Sequence, residues 1–124
     1  MLGSRTAVAN IAVKDLDRAK DFYTDTLGLT AVEAEGDDYL VLVSGDSQVN
    51  VYRSEFAGTN KATAVSWEVD DIDSEVKTLR DKGVAFEHYN MPGLKLEGDV
   101  HVGDGMKVAW FKDPDGNILN LIEE

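Results

Sequence analysis

Cysteine is absent from all 124 residues, which excludes disulfides, thiolate metal centres and a cysteine nucleophile. Histidine is confined to His88 and His101, and proline to Pro92 and Pro114. Basic side chains are half as numerous as acidic ones, 12 against 24, for a formal net charge of −12. Such a balance repels nucleic acid and anionic membrane, since both need clustered Lys and Arg. It suits a solvated acidic surface, and it would also favour a cationic ligand. No apolar run approaches the ~18 residues of a membrane span. The N-terminus, MLGSRTAVAN, lacks the basic start and apolar core of a signal peptide. The expectation is a cytoplasmic single domain, residues 1–124, with partners that include neither nucleic acid nor membrane. There is no Gly-rich phosphate loop, because Gly103-x-Gly105 is too short and precedes a strand. Nothing resembles a Ser-His-Asp arrangement.

What is present is a repeat. Val8 to Leu29, VANIAVKDLDRAKDFYTDTLGL, reads as a strand, a capped helix and a return. From Ala64 the chain runs AVSWEVDDIDSEVKTLRDKGV. Val13, Asp15, Leu16 and Asp17 match Val69, Asp71, Ile72 and Asp73, an offset of 56 residues. In both copies a β-branched strand runs into an acidic N-cap and an amphipathic helix that ends at a glycine, Gly28 or Gly83.

Period-two alternation over Thr6–Val13 predicts the first strand, with Val8, Asn10 and Ala12 on one face. Leu16, Ala19, Phe22 or Tyr23, and Leu27 form the first helix's apolar stripe. Strands follow over Leu29–Glu35, Tyr39–Val43 and Gln48–Arg53, joined by turns at Gly36-Asp37-Asp38 and Gly45-Asp46-Ser47. Turns this short make the pairings antiparallel. Glu55–Lys61 is a polar connector. In the second copy, Ala62–Asp70 is a strand with Ala64, Ser66 and Glu68 on one face, and Ile72, Val76 and Leu79 stripe the helix. Val84–Tyr89 is a strand, and Asn90–Gly105 a long loop of the kind that forms lids. Met106–Lys112 and Asn117–Glu123 close the sheet around the Asp113-Pro114-Asp115-Gly116 turn. Each unit is thus β-α-β-β-β, unit one from about 5 to 55 and unit two from about 62 to 124. The fold class is α+β, with two βαβββ repeats forming a cupped mixed sheet, helices outside and a trough within.

The pattern D-L-x-x-A-x-x-F-Y-x-x-x-L-G from Asp15 and the D-P-D-G-N turn from Asp113, at this spacing and within this repeat, resemble the vicinal oxygen chelate superfamily. That group includes glyoxalase I, bleomycin-resistance proteins, fosfomycin-resistance transferases and extradiol dioxygenases. The resemblance covers nearly the whole chain. It implies a homodimer, and in metal-dependent members His, Glu or Gln ligands on the first and last strands of each unit. Here those positions fall on Val8, Ala64, Asn50 and Asn120. A shift of two residues substitutes Asn10 or Thr6, and Ser66 or Ala62. Divalent metals want anionic or imidazole donors, and neither set supplies them.

The resemblance therefore implies a metal-free protein, without cofactor, that binds a small organic molecule in the trough. Asn10, Asn50, Tyr52, Ser66, Glu68, His101, Trp110 and Asn120 would supply the contacts, with the His101 loop as a lid. Of the neighbouring aromatics, Trp67 packs helix on sheet, and alternation puts Trp110 and Phe111 on opposite faces. The alternative is an enzyme, a glyoxalase-like lyase or isomerase or a ring-cleaving dioxygenase. It would use a divalent metal relocated to His88, His101 and Glu68 or Glu87. Each histidine is otherwise a loop residue bonded to backbone. Arg53 either clamps an anion or forms a surface ion pair.

Overall fold

The computed structural model describes residues 1–32 and 39–124. The Gly36-Asp37-Asp38 turn and the end of the Leu29–Glu35 strand lie outside the described residues. Two compact units are present, Met1–Thr59 and Asn60–Glu124.

In the first unit β1 (Ala9–Val13) leads into α1 (Leu16–Asp21), which continues through a π-helical turn, Phe22–Thr26. The strand starts later than Thr6, because residues before Ala9 have no partner strand beside them. Asp15 caps α1, its Oδ1 accepting from the Asp17 and Arg18 amides at 3.0 and 3.2 Å. Ala19 and Tyr23 are fully buried, and Gly28 takes the left-handed conformation, φ +82°, that turns the chain. Then come β2 (Thr30–Val32), β3 (Tyr39–Ser44) and β4 (Ser47–Arg53). The sheet order is β1-β4-β3-β2, with β1 parallel to β4 and the other pairs antiparallel. Ile11, Val13, Leu42, Val49 and Val51 make the buried face under the helix.

The second unit opens with β5 (Thr63–Glu68) and α2 (Ile72–Asp81), capped by Asp71 on the Ser74 amide at 3.2 Å. Ile72, Val76 and Leu79 are its buried stripe. Next come β6 (Phe86–Glu87), β7 (Lys95–Glu97), β8 (Val100–Gly103), β9 (Met106–Lys112) and β10 (Ile118–Glu123). The order is β5-β10-β9-β8-β7, with β6 also on β9, and β5 parallel to β10. The Ile72 amide donates to Glu123 Oε1 at 2.9 Å, which fixes α2 on the face that carries Leu119 and Leu121. Trp67 stacks on Phe111 on that face, ring centroids 6.5 Å apart.

Two expectations are corrected here. Val84–Tyr89 is a strand only at Phe86–Glu87. Asn90–Gly105 is not a long loop, because residues 95–103 form the β7–β8 hairpin around Gly98-Asp99. Asp104-Gly105, both at positive φ, then turn β8 into β9. The second unit therefore carries more strands than β-α-β-β-β.

Candidate functional site

Strand register gathers the sequence-selected residues into one group in each unit. In the first, Asn10 lies directly across from Asn50, and Tyr52 follows two residues on along the same face. This face turns away from the helix, and Tyr52 is solvent-exposed.

The second unit holds the larger group. Asn120 pairs with Ser66 on one side and Trp110 on the other, so the three form one row across β5, β10 and β9. The next row runs Glu68, Ile122, Val108 and His101. Both rows face away from α2. Trp110 and Asn120 are buried, and Glu68 is exposed. Asn120 Oδ1 is buried without a hydrogen-bond partner. An orphaned amide oxygen of this kind costs about 1–3 kcal/mol and marks a place where structure has been spent on something other than stability.

His101 is not on a lid. It lies on β8 and is 1 % exposed. Its Nε2 accepts the Tyr89 amide N–H at 2.9 Å, and Nδ1 stands 3.3 Å from the Val108 carbonyl oxygen. Nε2 also lies 3.1 Å from the Tyr89 carbonyl oxygen, so backbone groups engage both ring nitrogens. The imidazole ring stacks on Tyr89 at 6.3 Å and meets the edge of Trp110 at 4.9 Å. Tyr89 and Trp110 in turn stand nearly perpendicular, 78° apart at 5.4 Å. Trp110 Nε1 donates to Thr63 Oγ1 at 3.1 Å, which holds the indole across the sheet.

The two aromatic rings line a cleft of about 350 Å³ whose other walls include Thr63, Met91, Ile118 and Lys61. Of the residues selected from sequence, only Trp110 lines it. Thr63, Met91 and Ile118 were missed. Met91 is carried by the segment between β6 and β7, and only tertiary folding brings it to the sheet. Alternation puts Thr63 opposite Ser66 and Glu68, and only the register shift at Ile118/Leu119, which pairs Thr63 with Ile118, brings it to this face.

A second hollow, about 480 Å³, lies in the first unit against Lys14, Asp15, Asp17, Tyr39 and Arg53. Its walls are charged, and the helix amides behind it are already taken by Asp15.

The metal positions can be judged by donor chemistry. Asn10, Asn50, Ser66 and Asn120 offer amides and a hydroxyl, and Val8 and Ala64 offer nothing. This set does not fit a divalent cation. The relocated set does not gather either. His88 Nε2 lies 2.8 Å from Asp99 Oδ1, at the hairpin tip, and Asp99 Oδ2 accepts from Arg80. Among the described residues no three His, Asp or Glu side chains come close enough to hold a metal. Among the described residues no helix is long and apolar enough to cross a membrane.

The profile of the Glyoxalase/Bleomycin resistance protein/Dioxygenase superfamily matches residues 5–121. No curated protein matches the chain. Among solved structures it is similar to TnmS3, an antibiotic binding protein from Streptomyces sp. CB03234, at 23% identity and TM-score 0.70, over 99% of this chain and 98% of that one. It is similar to a glyoxalase/bleomycin resistance protein from the same Streptomyces strain at 24% identity and TM-score 0.62, over 94% and 97%. A superfamily member from Sphaerobacter thermophilus DSM 20745 is 28% identical, with TM-score 0.67 over 100% of both chains.

Proposed function

The chain belongs to the Glyoxalase/Bleomycin resistance protein/Dioxygenase superfamily, and from that premise we propose that it is a metal-free binding protein that sequesters a small organic molecule. The observation that carries this reading is the cleft walled by Trp110 and Tyr89. Ligand sites are concave and apolar, with few polar groups, and two rings at right angles give a flat molecule both a face and an edge to meet. The unpartnered Asn120 Oδ1 beside Trp110 supports it, as does a similar fold in an antibiotic binding protein. Family-type metal chemistry is disfavoured by the donor set at the family positions. His101 has both ring nitrogens engaged with backbone and His88 is engaged with Asp99. By family resemblance the working unit is a homodimer.

The test uses Trp67→Phe protein, which leaves Trp110 as the sole tryptophan of the two in the chain. A small-molecule panel is screened for saturable, one-to-one change in Trp110 emission. A ligand found this way whose binding, measured by calorimetry, is lost in Trp110→Ala supports the reading. A ligand whose binding ignores Trp110→Ala refutes the site. Elemental analysis of protein purified without chelator is the second arm, and stoichiometric Zn, Ni, Mn or Fe would refute the metal-free part.

A further inference from the structure

Resting on the binding reading above, we infer that the ligand of the Trp110 cleft is a planar aromatic molecule bearing an acidic group. Its ring would lie against Trp110 and Tyr89, and its anion would sit at Lys61. The walls explain the first half. Trp110, Tyr89, Met91 and Ile118 present aromatic and apolar surface, and a thioether packs well against an aromatic ring. Thr63 Oγ1 already accepts the indole N–H, yet its own hydroxyl proton remains free to donate.

Charge explains the second half. Among the described residues, Lys61 is the only charged side chain on these walls. It is exposed and forms no ion pair among the described residues. Two carboxylates share this sheet face: Glu87, across from Trp110, is neutralised by Lys112 at 3.1 Å, and Glu68 lies at the other end of β5 from Thr63. Five residues of strand put it roughly 16 Å away along the sheet, beyond the ~8 Å over which salt screens exposed charges at physiological strength. With Glu87 paired and Glu68 distant, Lys61 is the unpaired charge left at the cleft mouth among the described residues, although the chain as a whole carries −12. A cationic ligand, which the net charge alone would favour, meets the wrong sign here.

A matched series decides it: 2-naphthoate, 2-naphthylmethanol and 2-naphthylmethylammonium share one ring system and differ in charge. Binding is read by calorimetry, and its location by the Trp110 indole N–H signal in NMR spectra. Expected is a naphthoate affinity about fivefold above that of the alcohol, as for one exposed ion pair, with the ammonium weakest. In Lys61→Gln the naphthoate advantage vanishes while the alcohol binds as before. An ammonium that binds tightest, or a naphthoate advantage that survives Lys61→Gln, overturns the inference. So does failure of all three to move the Trp110 signal. In each case the broader binding reading stands or falls separately, on whether any ligand from the panel requires Trp110.

Discussion

The imidazole of His101 acts here as a backbone prop. Its Nε2 accepts the Tyr89 amide, and Tyr89 then stands against Trp110. His101→Phe preserves a ring but leaves a part-buried amide without an acceptor. We expect a loss of about 1–3 kcal/mol in urea unfolding, together with a shift of the Trp110 emission maximum. His101→Gln keeps an acceptor near the same place and should recover much of both. If Phe and Gln behave alike, the hydrogen bond is not what matters. Asn120 makes the opposite case. Its Oδ1 has no partner, so Asn120→Leu should raise stability by about 1 kcal/mol while weakening ligand binding. A destabilised Leu variant would show that the amide is satisfied in solution. Asp113 is purely structural: its Oδ1 accepts the Asp115 and Asn117 amides and its Oδ2 accepts from Asn117 Nδ2. The D-P-D-G-N motif that identified the family therefore owes its form to the turn, and Asp113→Ala should lower the melting temperature without touching the Trp110 cleft.

At the scale of elements, what was legible in the sequence was what is encoded locally. Asp15 and Asp71 cap their helices because an Asx side chain reaches amides only two or three residues on. Parity put Ser66, Trp110 and Asn120 on one face, and the register confirms that they are neighbours. The β7–β8 hairpin was missed because Pro92 and four glycines between Asn90 and Gly105 outweighed two strands of only three and four residues. The Gly98-Asp99 and Asp104-Gly105 turn pairs were there to be read. With the hairpin missed, His101 became a loop residue, and its contact with Tyr89 at the end of the expected Val84–Tyr89 strand could not be foreseen. Gly103 makes this element testable. A methyl group at its Cα would collide with the backbone carbonyl of Gly93, which cannot turn aside as a side chain can, and would also press on a Leu94 methyl. Gly103→Ala must therefore displace the Met91–Leu94 turn from β8. We expect lower stability and weakened binding at the cleft that Met91 helps to wall, whereas Gly98→Ala, with open space around it, should strain only its own turn. Equal effects of the two substitutions on binding would show that the turn's seat on β8 is irrelevant to the cleft.

At the scale of the whole molecule, charge and apolar surface pull in opposite directions. Each chain carries −12, so two chains brought together must bear their mutual repulsion. Yet the first unit's sheet face is not finished as a polar surface. Val32, Tyr39 and Tyr52 are each about 40 % exposed there, on adjacent strands whose opposite face carries the buried Leu42, Val49 and Val51. Exposed apolar groups gathered on one face mark an interaction surface more often than singly scattered ones do. If that face closes a homodimer, burial of apolar area opposes a repulsion that salt can screen. Association should therefore strengthen from low to physiological ionic strength, the reverse of a dimer held by ion pairs. Sedimentation equilibrium should find about 27 kDa, twice the 13.6 kDa of one chain, with the monomer fraction growing as salt is withdrawn. The melting temperature should rise with protein concentration, as mass action requires of a dimer. Tyr52→Glu places a further like charge on each face and should give monomer under all these conditions with its sheet intact. A 13.6 kDa species at every salt and concentration would dismiss the dimer, and a dimer indifferent to Tyr52→Glu would move its interface elsewhere.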